Sequence, residues 1–197
     1  MSEYIAAYSE STLLREKAWV VLCWGAPAAG KSTVAAEFCR RHQVPRLSSD
    51  AVNQALIGDS FQAHLRPAIY QGLLAMAEAI LESGGRLVLD GTFLHPEARQ
   101  KVAELARHHQ AVMVSAQIEC SLGERLRRNA LRSACERVPE EWLSRAHSRA
   151  ALLTQGCLRL NTQKLSVDQS IELLEGVLLE RLRRSHGLQR RRSIMLL

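Results

Sequence analysis

Gly25-Ala26-Pro27-Ala28-Ala29-Gly30-Lys31-Ser32 follows a short apolar run, Trp19-Val20-Val21-Leu22-Cys23-Trp24, and leads into a helix-prone one, Thr33 to Arg40. The octet has the spacing G-x-x-x-x-G-K-S, and it stands in the context that spacing needs: buried strand, glycine loop, helix. Gly25 and Gly30 let the backbone turn tightly, so that N–H groups from Ala28 and Ala29 through Thr33 converge on one spot. The helix dipole adds partial positive charge there. The stretch therefore predicts a phosphate-binding loop for a nucleotide. Lys31 is expected to reach the β- and γ-phosphates, and the Ser32 hydroxyl to ligate Mg²⁺.

The chain has 197 residues, which suits one α/β domain with a sizeable core. No apolar run is long enough to cross a bilayer, and the start of the chain has neither a basic nor an apolar leader segment. Five cysteines are dispersed without metal-ligand spacing, which reads as buried or incidental thiols in a reducing, cytoplasmic setting. The net charge is +6, and it is localised. Six arginines and no acids follow position 180; the remaining 20 basic residues match the 20 acidic ones. That basic end is open to two readings, an electrostatic footprint for nucleic acid or a solvated helix end with a frayed terminus.

Residues 1–17 read as a polar N-terminal extension, with Ser9, Ser11 and Thr12 as caps for a short helix. After the first helix, which runs to about His42, Val44-Pro45-Arg46-Leu47 is a short strand closing on Ser48-Ser49-Asp50. Ligands collect at the carboxyl ends of strands in an open parallel sheet. Asp50 is thus placed to orient an acceptor hydroxyl and take its proton, or else it caps a helix beginning at Ala51. Residues 63–82 follow a helical period, with Leu65, Ile69, Leu73, Met76 and Ile80 on one face. Arg86-Leu87-Val88-Leu89-Asp90 is a third strand ending in an acid suited to Mg²⁺. A helix from Pro96 to His108 comes next. The adjacent His108 and His109 are expected to point apart and to be solvated. Ala111–Ile118 is the fourth strand.

Arginines then recur: Arg125, Arg127, Arg128, Arg132 and Arg137, ahead of Val138-Pro139. Such a segment, about residues 121–150, suits a lid that closes over a triphosphate and offers planar guanidinium forks to phosphate oxygens. A helix over 139–153, a fifth strand at 157–161 and an amphipathic helix from 166 to about 184 complete a domain over 18–185, followed by a basic tail, 186–197.

These residues resemble a known group, the small kinases labelled AAA-type or zeta-toxin-like and the phage-type polynucleotide 5′-kinase domains. The resemblance covers roughly residues 18–185. It rests on Ser49-Asp50, on Asp90-Gly91-Thr92-Phe93-Leu94-His95-Pro96-Glu97-Ala98-Arg99, and on Arg128-Asn129, Arg132 and Val138-Pro139. It implies a P-loop NTPase fold: a five-stranded parallel sheet between helices, with an Arg-rich helical lid. It also implies Asp50 as general base, Arg128 as the transition-state arginine, and Arg132 and Arg137 as phosphate ligands. Asp90, Thr92 and Arg99 fall on the acceptor side. One departure stands out. Polynucleotide kinases carry an arginine one turn after the base, where this chain has Asn53, with Arg66 as a candidate substitute.

The expected activity is ATP- and Mg²⁺-dependent transfer of a γ-phosphate to a hydroxyl, first of all a polynucleotide 5′ end, RNA or DNA. The alternatives are a sugar, antibiotic or nucleotide-sugar acceptor on the same fold, or an ATP-binding regulatory module without catalysis.

Overall fold

The computed structural model describes residues 12–58, 63–133, 136–151 and 156–194. Five strands form one wholly parallel sheet: β1 (Trp19–Trp24), β2 (Arg46–Ser48), β3 (Arg86–Gly91), β4 (Val112–Glu119) and β5 (Leu158–Asn161). Their spatial order is β2-β3-β1-β4-β5. Seven α-helices connect or follow them: α1 (Lys31–His42), α2 (Ser49–Ile57), α3 (Arg66–Glu82), α4 (Pro96–His108), α5 (Leu122–Ala130), α6 (Glu140–Ala151) and α7 (Val167–Ile194). This is the P-loop α/β architecture.

The central strand explains the layering. All six β1 residues are buried, because a parallel sheet is covered on both faces and its strands read as unbroken apolar runs. Trp19, Val21 and Cys23 face α1 and α7 through Phe38, Ile171, Leu174, Leu178 and Leu182. Val20, Leu22 and Trp24 face α3 and α4 through Ile69, Leu73, Ala77, Val102 and Ala106. Residues 12–16 are helical and docked on the sheet: the Leu14 carbonyl accepts from both Trp19 Nε1 and Arg86 Nη1. Ser9 and Ser11 lie outside the described residues.

Four expectations need correction. The buried stripe of α3 is Ile69, Leu73, Ala77 and Leu81, while Met76 is 40% exposed. The helical period holds and its phase shifts by one residue, since alanine serves as well as methionine where helix and sheet approach closely. Helix α2 begins at Ser49 rather than Ala51; its cap is Ser48, whose hydroxyl accepts from the Ala51 N–H, so Asp50 is not the cap. His109 is not solvated: its side chain is 14% exposed and faces Glu78, and its ring stacks edge-on against His108 at 4.9 Å because the helix has ended there. The last helix does not stop near Arg184 but runs to Ile194. The side chains of residues 186–194, Arg190, Arg191 and Arg192 among them, lie outside the described residues, as do residues 152–155 after the lid helix. Among the described residues four cysteines are free thiols and no helix is long and apolar enough to cross a membrane.

Candidate active site

The glycine loop leaves β1 at the carboxyl edge of the sheet, flanked by β3 and β4. Gly25 has φ +145°, and a Cβ there would sit 2.2 Å from the Ile118 carbonyl oxygen, so only glycine lets the loop pass β4. Its N–H donates to the Thr92 carbonyl, which joins the loop to the segment after β3. Ala28 adopts a left-handed φ of 61°, and Gly30, at φ 91°, caps α1 without any side-chain donor or acceptor. The first-turn N–H groups of α1 are thereby left for an anion.

Lys31 is 8% exposed and its Nζ donates to the Ala26 carbonyl at 3.0 Å. Burial pushes the ammonium below its ordinary range, and the charges of Asp90 and Asp50 oppose that shift. Asp90, at the end of β3, is 2% exposed and opposite Cys23 and Ser48 in register. Burial raises its carboxyl, against the charge of Lys31 and a hydrogen bond from Ser32. Its Oδ2 has no hydrogen-bond partner; Arg46 Nη1 stands 3.5 Å away, near enough to attract but too long to bond well. A buried carboxylate oxygen without a donor, beside a serine hydroxyl at the phosphate loop, is what a hard divalent cation needs. Ser32 and Asp90 therefore fit Mg²⁺, and the loop with Lys31 fits a triphosphate. Asp50, in the exposed first turn of α2, lies close enough for its charge to act on both Lys31 and Asp90.

In the segment after β3, Phe93 is held at a left-handed φ of 39°. Tyr70 Oη accepts from its N–H, and Arg99 Nη1 donates to its carbonyl at 2.6 Å. Arg99 also lies over the Trp24 ring at 4.2 Å. It thus shapes this loop from beneath. The Thr92 hydroxyl is paired with Tyr70 Oη and receives Arg66 Nη2 at 2.7 Å.

Helices α5 and α6 are locked together. Asn129 Nδ2 donates to the Val138 carbonyl and its Oδ1 accepts from the Val138 N–H. Arg128 is fixed between Glu124, at 2.7 Å, and Thr162, whose own hydroxyl donates to the Ala29 carbonyl at 2.8 Å. A cavity of about 330 Å³ opens here, with Gly30, Thr33, Arg128 and Arg132 beside apolar Val34 and Leu165. Its mixed lining suits a nucleoside next to its phosphates. Arg137 is turned elsewhere; it donates to the carbonyls of Arg132 and Ala130, closing the end of α5.

Three groups escape a reading of the sequence. Thr162 and Arg46 reach the site only because the edge strands β5 and β2 carry them to the phosphate loop, where they bond the Ala29 and Ser32 carbonyls, and no local pattern marks them. Arg125 is one lid arginine among several, yet it is 1% exposed. The one available signal for it is its place on the apolar face of α5.

The sequence profile described as AAA domain matches residues 20–153. No curated protein matches the chain. A gluconokinase from Sinorhizobium meliloti 1021 superimposes with a TM-score of 0.63 at 17% identity, covering 89% of this chain and 98% of that one. The Mycobacterium tuberculosis APS kinase CysC, in complex with AMPPNP and APS, gives 0.58 at 19% identity, with 81% and 98% covered. The Pnkp1/Rnl/Hen1 RNA repair complex gives 0.60 at 20% identity, with 69% of this chain and 44% of that one covered. At these identities the likeness is one of fold.

Proposed function

The chain belongs to the AAA domain family, and on that premise we propose that it is an ATP- and Mg²⁺-dependent kinase that phosphorylates a hydroxyl of a small molecule. Fold and family together support a phosphotransferase of P-loop kinase type. The observation that carries the reading is the meeting of Lys31, Asp90 and Asp50 at the carboxyl edge of the sheet, where Asp50 follows Ser48, the register partner of Asp90, and adds a second carboxylate to the one that a plain nucleotide-binding module needs. Lys31 moves from Ala26 to the β- and γ-phosphates. Asp50 orients the acceptor hydroxyl and takes its proton as the new P–O bond forms and the bond to ADP breaks. Arg128 and Arg132 stabilise the charge on the transferred group. Magnesium, when bound by Ser32 and Asp90, supplies charge neutralisation across the phosphates.

Asn53 favours a small acceptor. It is one turn from Asp50 on the same face of α2, and its Oδ1 is buried without a partner. An amide lacks the positive charge that an arginine would offer a phosphate, and its open oxygen suits a hydroxyl donor, so a polyol such as a sugar fits it. A polynucleotide 5′ end is the second reading, favoured by Arg66, whose Nη2 donates to the Thr92 hydroxyl and whose guanidinium is of the kind that binds an acceptor phosphate. A salt titration of acceptor KM separates them. A neutral polyol gives a flat profile, and a single strand gives a log–log slope of about −0.7 per phosphate contacted.

A further inference from the structure

Among the described residues Arg125 is the largest buried charged side chain, and the catalytic scheme above does not use it. It lies in the second turn of α5, just past the carboxyl end of β4. Its Nη1 donates to the Leu143 carbonyl of α6 at 3.1 Å, and its Nη2 has no partner. Among the described residues no carboxylate pairs with it. A guanidinium taken out of water with one nitrogen left open is costly unless an anion completes it.

The surroundings say where that anion comes from. Leu143 and Ala146 lie three residues apart on one face of α6. Ala146 is buried against Ala26 and Leu94, and the Ala26 carbonyl is the one that holds Lys31. The helix fastened by Arg125 is thus the helix that sits on the phosphate loop. The charge of Arg125 also acts on the Lys31 ammonium, which places the two cations in one electrostatic neighbourhood.

We propose that Arg125 is a further phosphate-binding residue, covered by the lid, whose Nη1 pins α6 through Leu143 while Nη2 takes an oxygen of the triphosphate beside Lys31. This rests on the kinase reading of the phosphate loop. It makes lid seating and triphosphate binding one event, because the ligand supplies the counter-charge that the seated lid lacks. Arg125 stands outside the Arg128, Arg132 and Arg137 series and comes to the site from underneath it.

The test is binding of magnesium tripolyphosphate, a probe with neither base nor acceptor, to the full chain and to Arg125→Met, Arg125→Lys and Lys31→Ala, by calorimetry and by thermal shift. Arg125→Met is expected to melt close to the wild-type temperature without ligand, since relief of a buried, half-partnered charge offsets the lost bond to the Leu143 carbonyl. It is expected to bind tripolyphosphate roughly ten- to a hundredfold more weakly, the usual loss for a hydrogen bond to a charged group. Arg125→Lys keeps the charge and recovers part of that loss. Wild-type affinity in Arg125→Met, or a lower melting temperature with unchanged affinity, overturns the proposal and leaves Arg125 as a tie for α6. Should the Met variant fail to fold, the Lys variant decides: a loss of about tenfold supports the proposal, and full affinity overturns it. If Lys31→Ala binds as well as wild type, the phosphate-loop reading itself fails and takes this inference with it. A Lys31-dependent site indifferent to Arg125 refutes the inference alone.

Discussion

The guanidinium of Arg128 is clamped on Thr162: Nη1 donates to the threonine hydroxyl at 2.9 Å and Nη2 to its carbonyl at 3.1 Å. The same hydroxyl donates to Ala29, so the turn after β5 ties α5 to the phosphate loop. Thr162→Val keeps the shape and removes both hydroxyl contacts. Two hydrogen bonds, one of them charge-assisted, are lost at a half-buried site. The expected result is a KM for ATP raised roughly tenfold, at about 1.5 kcal/mol, with little change in melting temperature. Steady-state kinetics beside a thermal melt checks it; an unchanged KM would mean that Arg128 holds its place without Thr162.

Gly25→Ala should end nucleotide binding. The added methyl carbon meets the Ile118 carbonyl oxygen at 2.2 Å, and the φ of +145° is one that alanine rarely adopts. Either the loop shifts or β4 does. Calorimetry with a non-hydrolysable ATP analogue is expected to show no measurable binding to a chain that still folds. Binding at wild-type strength would show that this loop is not the phosphate site.

Asp50→Asn separates chemistry from binding. Asp50 is an exposed first-turn residue, and no described hydrogen bond of the fold depends on it beyond a long one from Ser49 at 3.5 Å. Loss of a general base typically costs roughly 10²- to 10⁴-fold. The expected outcome is a kcat lowered within that range with ATP affinity intact. Near-normal turnover removes Asp50 from the role of base.

The Glu124 pair gives a pH signature. Hydrogen bonds from Arg127 and then Arg128 hold the Glu124 carboxyl at about 2, against an ordinary value of 4.5. A depressed folded-state value means that the stabilisation is fully present above the ordinary value and is lost as pH falls towards 2. The difference in melting temperature between wild type and Glu124→Gln should therefore be constant from neutrality down to about pH 5 and shrink below it. A difference that changes through the neutral range would point to another titrating group.

The fold is legible in the sequence because the central strands announce themselves: β1 is an unbroken apolar run, β3 carries Leu87-Val88-Leu89 into Asp90, and the glycine loop dictates a turn and a helix directly after β1. The helix borders at Pro96 and His108 can be read from proline and the last basic turn. The phase of α3 cannot, because Ala77 and Met76 compete for one place and only the sheet decides between them. In the site, Gly25, Lys31, Ser32 and Asp90 carry local signals. Thr162 and Arg46 carry none, since they arrive from strands that pair far along the chain. Arg125 and Arg128 look alike in sequence, three residues apart. Their difference, one buried under α6 and one facing the cavity beside Gly30 and Thr33, exists only once α6 is seated.

The most direct measurement is transfer of labelled γ-phosphate from ATP with Mg²⁺ to a panel of polyols and sugars, 5′-hydroxyl RNA and 5′-hydroxyl DNA, with Lys31→Ala as control. The account predicts label on a small hydroxyl compound, absent with Lys31→Ala. Label confined to oligonucleotide ends would contradict the small acceptor and leave the kinase chemistry standing. Bound ATP with no transfer to any member of the panel would contradict the central claim.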